Sequence, residues 1–351
     1  MKRTTLFLLL VAFAGCQTAY RQKKEAPERQ DWYDCYGPLY GNVESITITE
    51  YKLADKFGEI IKEEVEKKKI FKFNLKGNVV EQCEGYNSDG SISSKWLYKY
   101  DSQGNKIEEA VYDGGGWLDE KHLYKYDSQG NQIEMAIYNR DGSLNCKYLY
   151  KFDSQGNKIE EAGYGDGGWL IEKTLYKYDS QGNKIEEARY NGDGSLDFKV
   201  LCKYDSKCNI IESASYGSNG SLRGKTLYKY DLQGNKIEEA SYGSNGSPNG
   251  KETYKYDSQG NKIEEVRFYP VTSGKGVVQP KVVQSSLTKI LYKYDAQGNM
   301  IEEAIYNSDG SLDMKILCKY DSQGNWVEAI TYKSESMIPT FMRERVIVYR
   351  K

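Results

Sequence analysis

The chain has 351 residues, and its 49 Lys plus Arg against 51 Asp plus Glu give a formal charge of −2. This balance excludes the strongly basic surface that simple electrostatic binding of nucleic acid requires. A single His argues against His-based catalysis and against a metal site built from several His residues. We therefore expect no metal, no other cofactor and no nucleic-acid partner. The 32 Tyr and 34 Gly, with only 6 Pro, indicate strands and turns.

The N-terminal segment has the pattern of a signal peptide. A charged start, Met1-Lys2-Arg3, precedes an apolar run that is too short to cross a membrane. Phe13-Ala14-Gly15-Cys16 resembles the lipobox of bacterial lipoproteins, in which cleavage precedes the Cys and lipid is attached to it. The resemblance implies a signal peptide over residues 1–15, lipidation at Cys16 and membrane contact through the lipid. By the same resemblance, Gln17 favours the outer membrane. An ordinary secretory signal beside a chance Cys is the alternative.

Two segments separate the lipobox from the main pattern of the chain. Residues 16–30 are polar and are predicted to form a lipidated tether. Residues 31–69 are predicted to be a divergent N-terminal cap. In this cap, the charged stretch Glu59 to Lys69 fits either a long hairpin arm or one or two helical turns.

The main feature of the sequence is a repeat of 26 residues over 70–332. Each copy contains a variant of Tyr-Lys-Tyr-Asp-Ser-Gln-Gly-Asn, and an insertion at about 269–286 lengthens one interval. The Asp of this segment recurs at Asp101, Asp127, Asp153, Asp179, Asp205, Asp231, Asp257, Asp295 and Asp321. A fixed period indicates one supersecondary unit stacked many times. Residues 333–351 are predicted to be a C-terminal capping strand.

Each unit is predicted to contain two strands and two tight turns. In one copy, the strands cover Leu118 to Tyr126 and Asn131 to Tyr138, and no segment suits a helix. Strand twist accumulates over so many strands. We therefore expect an all-β fold of tandem antiparallel β-hairpin repeats that forms a long twisted meander or a partial shell.

The first turn of the unit can be assigned a type. Asp at its first position and Gly at its fourth suit a type I turn followed by a residue with positive φ, which makes a three-residue hairpin with a G1 bulge. The turn residues of the first two copies are Asp101, Gly104, Asn105, Asp127, Gly130 and Asn131. We expect these residues to be structural. The turn also predicts a register, with Tyr98 opposite Glu108 and Tyr100 opposite Lys106.

The motif from Tyr98 to Asp101, with Gly104, Asn105 and a later Asp-Gly turn, resembles the repeat of the RHS/YD family over about residues 70–330. The period of 26 residues is longer than is usual in that family. The terminal toxin and autocleavage region of the family is not found in this sequence. The resemblance therefore implies a β-strand repeat scaffold on the cell envelope that is not a toxin.

Cysteine positions leave two possibilities open. Apart from Cys16, the even number of Cys residues permits disulfides in an oxidising compartment, and Cys35 with Cys83 is the pair to examine. Free thiols are the other possibility, because Cys202 and Cys318 occupy the Tyr98 position of their repeats. Cys208 replaces the turn Gly, at a cost of about 1 kcal/mol.

Two aromatic residues are candidate ligand contacts. Trp117 and Trp169 replace the Ser of the second turn, two repeats apart, which places them about 19 Å from each other along one edge. Such residues could stack on sugar rings or meet a protein partner. Alternatively, each Trp folds back onto its own hairpin.

The carboxylates do not indicate catalysis. The adjacent Glu108 and Glu109 point to opposite faces of a strand and cannot act together, so solvated charge ladders with Lys are expected. We therefore expect a non-enzymatic cell-envelope lipoprotein that acts as a β-repeat binding or scaffold protein, and the resemblance to the lipobox implies the outer membrane. The alternative is a glycan-binding surface lipoprotein that uses Tyr and Trp edges.

Overall fold

A computed structural model of the chain describes residues 39–56, 59–86, 91–272, 282–333 and 338–351. Every regular element in these ranges is a β-strand. The strands are β1 Val43–Lys56, β2 Glu59–Phe73, β3 Val79–Tyr86, β4 Ile92–Tyr100, β5 Lys106–Asp113, β6 Leu118–Tyr126, β7 Gln132–Asn139, β8 Leu144–Phe152, β9 Lys158–Gly165, β10 Leu170–Tyr178 and β11 Lys184–Asn191. They continue with β12 Leu196–Tyr204, β13 Ile210–Gly217, β14 Leu222–Tyr230, β15 Lys236–Gly243, β16 Pro248–Tyr256, β17 Lys262–Thr272, β18 Val282–Tyr294, β19 Met300–Tyr306, β20 Leu312–Tyr320, β21 Trp326–Lys333 and β22 Ile338–Tyr349. The described residues contain no helix that is long and apolar enough to cross a membrane.

Consecutive strands pair in antiparallel fashion along the chain, and β22 also pairs with β1. This seam runs from Val43 opposite Tyr349 to Lys52 opposite Phe341, and it closes the 22 strands into a barrel. The prediction of an all-β fold of hairpin repeats is confirmed. The expected open meander or partial shell is wrong, because the two terminal strands, β1 and β22, pair with each other. Their pairing satisfies backbone groups that an open sheet would leave at two free edges.

The first turn has the predicted geometry. The Gly104 N–H donates to the Asp101 carbonyl at 3.2 Å, and the Asp101 N–H donates to the Asn105 carbonyl at 2.9 Å. Gly104 has a φ of 96°, and Gly130 in the next copy has a φ of 83°. Cys208 adopts the same conformation, with a φ of 63°. The type I turn with a G1 bulge is therefore present even where a side chain opposes it.

The predicted register is only half right. Tyr100 lies opposite Lys106 as expected, but Tyr98 lies opposite Glu109 and not opposite Glu108. The cause is a β-bulge, in which Ile107 is an extra residue between the two pairs. A shift of one residue moves every later side chain of the strand to the other face. Glu109 therefore shares a face with the tyrosines, and Glu108 shares the opposite face with Lys99.

The two faces of the closed sheet differ in burial. We call the face that carries Tyr98 the tyrosine face and the face that carries Lys99 the lysine face. Near the first turns, Lys106 and Lys158 of the tyrosine face are 34% and 35% exposed, whereas Lys99 and Lys151 of the lysine face are 67% and 66% exposed. The tyrosine face is therefore the inner face of the barrel, and the lysine face is its outer wall.

A cluster of buried apolar residues lies on the inner side, next to the seam. It consists of Val43, Ile46, Ile48, Phe71 and Trp326, with further partly buried apolar residues packed around it. β1, β2 and β21 supply these residues, so the cluster joins the first strands of the chain to the last. The closure of the sheet and its main apolar packing are thus built from the same strands.

The second Tyr of each Tyr-Lys-Tyr segment stabilises the bulge of the preceding repeat. The Tyr126 hydroxyl donates to the Lys106 carbonyl at 2.8 Å, and Tyr178 donates to the Lys158 carbonyl at the same distance. Tyr100, Tyr204, Tyr230, Tyr256, Tyr294 and Tyr320 make the equivalent bond. A bulge removes a carbonyl from the strand ladder, and a buried carbonyl needs another partner. Phe152 occupies this position in one repeat without a hydroxyl.

The first Tyr belongs to an ion-pair ladder on the inner face. Lys106 donates to Glu109 at 2.6 Å and lies 4.7 Å from the centre of the Tyr124 ring, whose hydroxyl also donates to Glu109. The same Lys–Glu pair recurs at Lys158–Glu161, Lys184–Glu187, Lys236–Glu239 and Lys262–Glu265. Repeats that lack the Lys of this pair usually lack the Glu as well, as at Gln132–Met135, Ile210–Ser213 and Trp326–Ala329. Met300–Glu303 is an exception, because the Glu is kept without the Lys. The inner face therefore keeps its charges paired within a repeat.

Two hairpins extend beyond their neighbours. β2 pairs with β3 only from Lys69 to Phe73, so the stretch from Glu59 to Lys68 pairs with β1 alone among the described strands. This charged stretch is a hairpin arm, and the helical alternative is wrong. Two bulges and many charges discourage further strands from pairing with its open edge. β17 and β18 also extend beyond β16 and β19, within the predicted insertion, of which residues 273–281 lie outside the described ranges.

Candidate functional site

The hairpin turns form two opposite rims of the barrel. Turns equivalent to Asp101–Asn105 make the first-turn rim, and turns equivalent to Asp113–Trp117 make the second-turn rim. The chain enters β1 at the first-turn rim, where the Tyr40 N–H donates to Asn325 Oδ1 at 2.8 Å and Asn325 Nδ2 donates to the Tyr40 carbonyl at 2.9 Å. Residues 1–38, which include the predicted lipidation site Cys16, lie outside the described residues.

The Asp carboxylates of the first-turn rim accept hydrogen bonds from their own turns. Asp101 Oδ1 accepts from the Gln103 and Asn105 N–H groups, both at 2.9 Å, and Asp101 Oδ2 accepts from Asn105 Nδ2 at 2.9 Å. The hydrogen bond from the Asn105 side chain, aided by these backbone donors, holds the pKa of Asp101 below its usual range. Asp127, Gly130 and Asn131 repeat the arrangement. These hydrogen bonds stabilise the turns, so the role of these residues is structural.

Trp117 stands on the second-turn rim with its side chain 65% exposed. Its backbone N–H donates to Asp113 Oδ1 at 2.9 Å, which fixes the turn beneath it. The guanidinium of Arg140, from the neighbouring hairpin turn, lies 5.6 Å from the ring centre and 3.6 Å from Asp113 Oδ2. This cation–π contact holds the ring against the next hairpin while most of the ring stays accessible.

Trp169 stands on the same rim, two hairpins further along, and is 59% exposed. Its ring covers two glycines of its own turn: a Cβ at Gly167 would lie 2.1 Å from Trp169 Cζ3, and one at Gly165 would lie 2.7 Å from Cε2. Trp169 therefore folds back onto its own hairpin, as the second interpretation of the sequence proposed. Because the turn of Arg140 lies between the two hairpins, Trp117, Arg140 and Trp169 occupy three successive turns.

Adjacent glutamates do point to opposite faces. Glu109 joins the inner ladder, whereas Glu108 on the outer wall accepts from Lys99 at 2.9 Å and Lys121 at 3.1 Å. The hydrogen bond from Lys99, together with that from Lys121, holds the pKa of Glu108 below its usual range despite partial burial. The two carboxylates therefore serve separate ion pairs and cannot act on one substrate.

The outer wall carries a row of exposed lysines, which we call the lysine belt. Its members are 65–71% exposed and each bonds one glutamate of the next strand. They are Lys99, Lys125, Lys151, Lys177, Lys203, Lys229, Lys255, Lys293 and Lys319. From the sequence, only solvated charge ladders are predicted at these positions. The row of lysines could have been predicted, because the middle residue of the Tyr-Lys-Tyr segment is Lys in every copy, including those with Cys or Phe beside it.

Within the described ranges, no disulfide joins any two of the cysteines, which are Cys83, Cys146, Cys202, Cys208 and Cys318. Cys83 is buried, and burial, with the nearby Glu81 charge, raises the pKa of its thiol. Cys35 lies outside the described residues, so the Cys35–Cys83 pair stays a prediction. Within the described ranges, no group of three or more His, Cys, Asp or Glu residues is placed to hold a metal ion.

The chain was compared with protein families, curated proteins and solved structures. A family model described as "Uncharacterised protein" matches residues 141–274. No curated protein matches. Similar solved structures include TcdB2-TccC3-Cdc42, with 11% identity over 79% of this chain and 20% of that chain, at a TM-score of 0.30. A porin-like protein from Bacteroides uniformis ATCC 8492 has 7% identity over 88% of this chain and 98% of that chain, also at a TM-score of 0.30.

A third similar structure is the dihydro-heme d1 dehydrogenase NirN in complex with DHE. It has 11% identity over 86% of this chain and 73% of that chain, at a TM-score of 0.23. The chain spans about a fifth of the length of the TcdB2-TccC3 protein that it matches. The resemblances to the lipobox and to the RHS/YD repeat stay predictions from the sequence.

Proposed function

We propose that this chain is a non-enzymatic lipoprotein of the bacterial cell envelope that acts as a binding scaffold. The observation that carries the proposal is the separation of the two rims. The chain enters β1 beside Asn325 on the first-turn rim, and the exposed rings of Trp117 and Trp169 stand on the opposite rim. Lipidation at Cys16 would anchor the chain on the side of the first-turn rim. The second-turn rim would then face away from the membrane, where a partner can reach it.

The repeated charges support a scaffold rather than an enzyme. Enzymes concentrate unusual, mutually placed groups at one site. Here the repeated carboxylates of both faces are held by lysines, as Glu108 is by Lys99 and Glu109 is by Lys106. Most repeats offer the same set of groups as their neighbours. An array of this kind presents one surface many times, which suits binding.

Cell fractionation tests the anchor. We expect the wild-type protein in the membrane fraction and the Cys16→Ser variant in the soluble fraction. Protease treatment of intact cells, with permeabilised cells as control, then reports which way the barrel faces. Membrane association that survives Cys16→Ser would contradict the lipoprotein assignment.

A second candidate function is glycan binding at the second-turn rim. It is favoured by two exposed Trp rings on one rim, because aromatic faces pack against the apolar faces of sugar rings. The chain supplies the matched replacement, since Ser143 and Ser195 occupy the same turn position in neighbouring hairpins. We expect Trp117→Ser with Trp169→Ser to abolish glycan-array binding without altering the circular dichroism spectrum. Binding that persists in the folded variant would contradict the role of the two Trp residues.

A further inference from the structure

We propose that the lysine belt binds a linear carboxylated polysaccharide along the outer wall of the barrel. The inference deepens the proposed function and rests on it, because it names a ligand class for the scaffold. It concerns a different surface from the second-turn rim, so the two can be tested separately.

The outer wall has more positive than negative charge, although the whole chain is nearly neutral. Each glutamate of the wall is typically shared by two lysines: Glu160 accepts from Lys151 at 2.9 Å and from Lys173 at 3.1 Å. One positive charge per repeat therefore has no negative counterpart in the central rows of this wall. The compensating carboxylates include the turn aspartates, such as Asp153, which lie at the rim. Asp153 follows Lys151 by two residues, but it accepts hydrogen bonds from its own turn, whereas Lys151 bonds Glu160.

The excess charge is regularly spaced. Successive belt lysines, such as Lys151 and Lys177, lie two strands apart, which is about 9.6 Å at the usual strand spacing. This spacing is comparable to the length of one disaccharide unit in a linear polysaccharide. A polymer with one carboxylate per disaccharide can therefore meet one belt lysine with each unit. Half-buried tyrosines of the same face, among them Tyr164 and Tyr190, offer ring surface on which sugars can pack.

The charge density favours a polysaccharide over nucleic acid and over a membrane. Duplex DNA carries one charge per about 1.7 Å of its axis and a single strand one per about 3.4 Å, so several phosphates would face each lysine. A flat anionic membrane would meet only a few belt lysines at once, because the belt follows a closed wall. A flexible chain of low charge density can follow the curve and match the spacing.

The test uses fluorescently labelled hyaluronan, which has one carboxylate per disaccharide, with dextran and a single-stranded DNA as comparison probes. The belt variant is Lys151→Gln, Lys177→Gln and Lys203→Gln. The matched control is Lys52→Gln, Lys56→Gln and Lys67→Gln, three exposed lysines of the β1–β2 arm, which changes the net charge equally. Circular dichroism confirms the fold of each variant. We expect the belt variant to bind hyaluronan about tenfold more weakly at low salt and the control to bind as the wild type does.

Three outcomes would overturn the proposal. One is the absence of hyaluronan binding by the wild-type protein at low salt. Another is an equal loss of hyaluronan affinity in the belt and control variants, which would show non-specific electrostatic attraction and no binding site on the belt. The third is tighter, belt-dependent binding of the DNA, which would make nucleic acid the partner. None of these would alter membrane release by Cys16→Ser or the effect of the Trp replacements, so failure here differs from failure of the proposed function.

Discussion

Glu265 is the most buried member of the inner ion-pair ladder, and its replacement by Gln should be costly. Its side chain is 3% exposed and accepts from Lys262 at 2.5 Å and from Arg267 at 2.5 Å. The Tyr292 hydroxyl donates to the same carboxylate at 3.2 Å. Glu265→Gln keeps the shape but leaves two cations beside a neutral amide.

The magnitude follows from the exposure of the partners. Breaking a fully buried ion pair costs about 3–5 kcal/mol. Lys262 and Arg267 are 25% and 40% exposed and can regain part of their hydration, so we expect a loss of about 2 kcal/mol in unfolding free energy. The matched variant is Glu187→Gln, whose carboxylate is 27% exposed and pairs with Lys184, which is 41% exposed. That variant should lose only about 0.5 kcal/mol.

Urea titrations followed by circular dichroism measure both losses. The dependence on pH gives an internal check. Burial opposes ionisation of Glu265, but Lys262 and Arg267 outweigh it and hold the pKa of the carboxyl below its ordinary value of 4.5. The folded-state pKa is therefore depressed, and the stabilisation is present above pH 4.5 and disappears as the pH falls through the folded-state pKa. The difference in unfolding free energy between the wild type and Glu265→Gln should therefore become smaller as the pH falls over that range. Equal losses for the two variants at pH 7 would refute the reasoning.

Three further substitutions have the repeat itself as their control. Cys208→Gly restores the usual residue at a φ of 63°, and calorimetry should show a gain of about 1 kcal/mol; a loss would mean that the thiol contributes more than the backbone strain costs. Tyr178→Phe removes the hydroxyl bond to the bulge carbonyl of Lys158, and urea unfolding should show a loss of about 1 kcal/mol. Phe152→Tyr adds the hydroxyl that this repeat lacks and should raise the unfolding free energy by a similar amount. If the unfolding free energy changes in neither variant, water bonds the bulge carbonyl equally well.

Local structure was predictable from the sequence where one segment decides it. The strand Leu118–Tyr126 and the turn at Asp101 to Asn105 have the predicted limits and type, because the Gly position and the fixed period leave few alternatives. The register was not predictable, because the bulge at Ile107 has no marker in the alternation of apolar and polar residues. The hydroxyl bonds from Tyr to bulge carbonyls depend on that same bulge and were missed with it.

Long-range arrangement was less predictable. The pairing of β1 with β22 joins the two ends of the described chain and depends on the twist summed over all strands between them. The two Trp side chains also differ for reasons that lie outside their own positions. Trp169 has Gly165 and Gly167 beneath its ring, whereas Trp117 has Arg140 beside it.

Closure of the sheet is the central claim, and a disulfide across the seam tests it most directly. Thr47 on β1 lies opposite Val346 on β22, within the Cα separation that a disulfide tolerates. The variant Thr47→Cys with Val346→Cys should form this bond under mild oxidation, detected by mass spectrometry of proteolytic peptides. The off-register pair Thr49→Cys with Val348→Cys should not form it. Failure of the first pair to link, or equal linking by both pairs, would contradict a closed barrel with this seam.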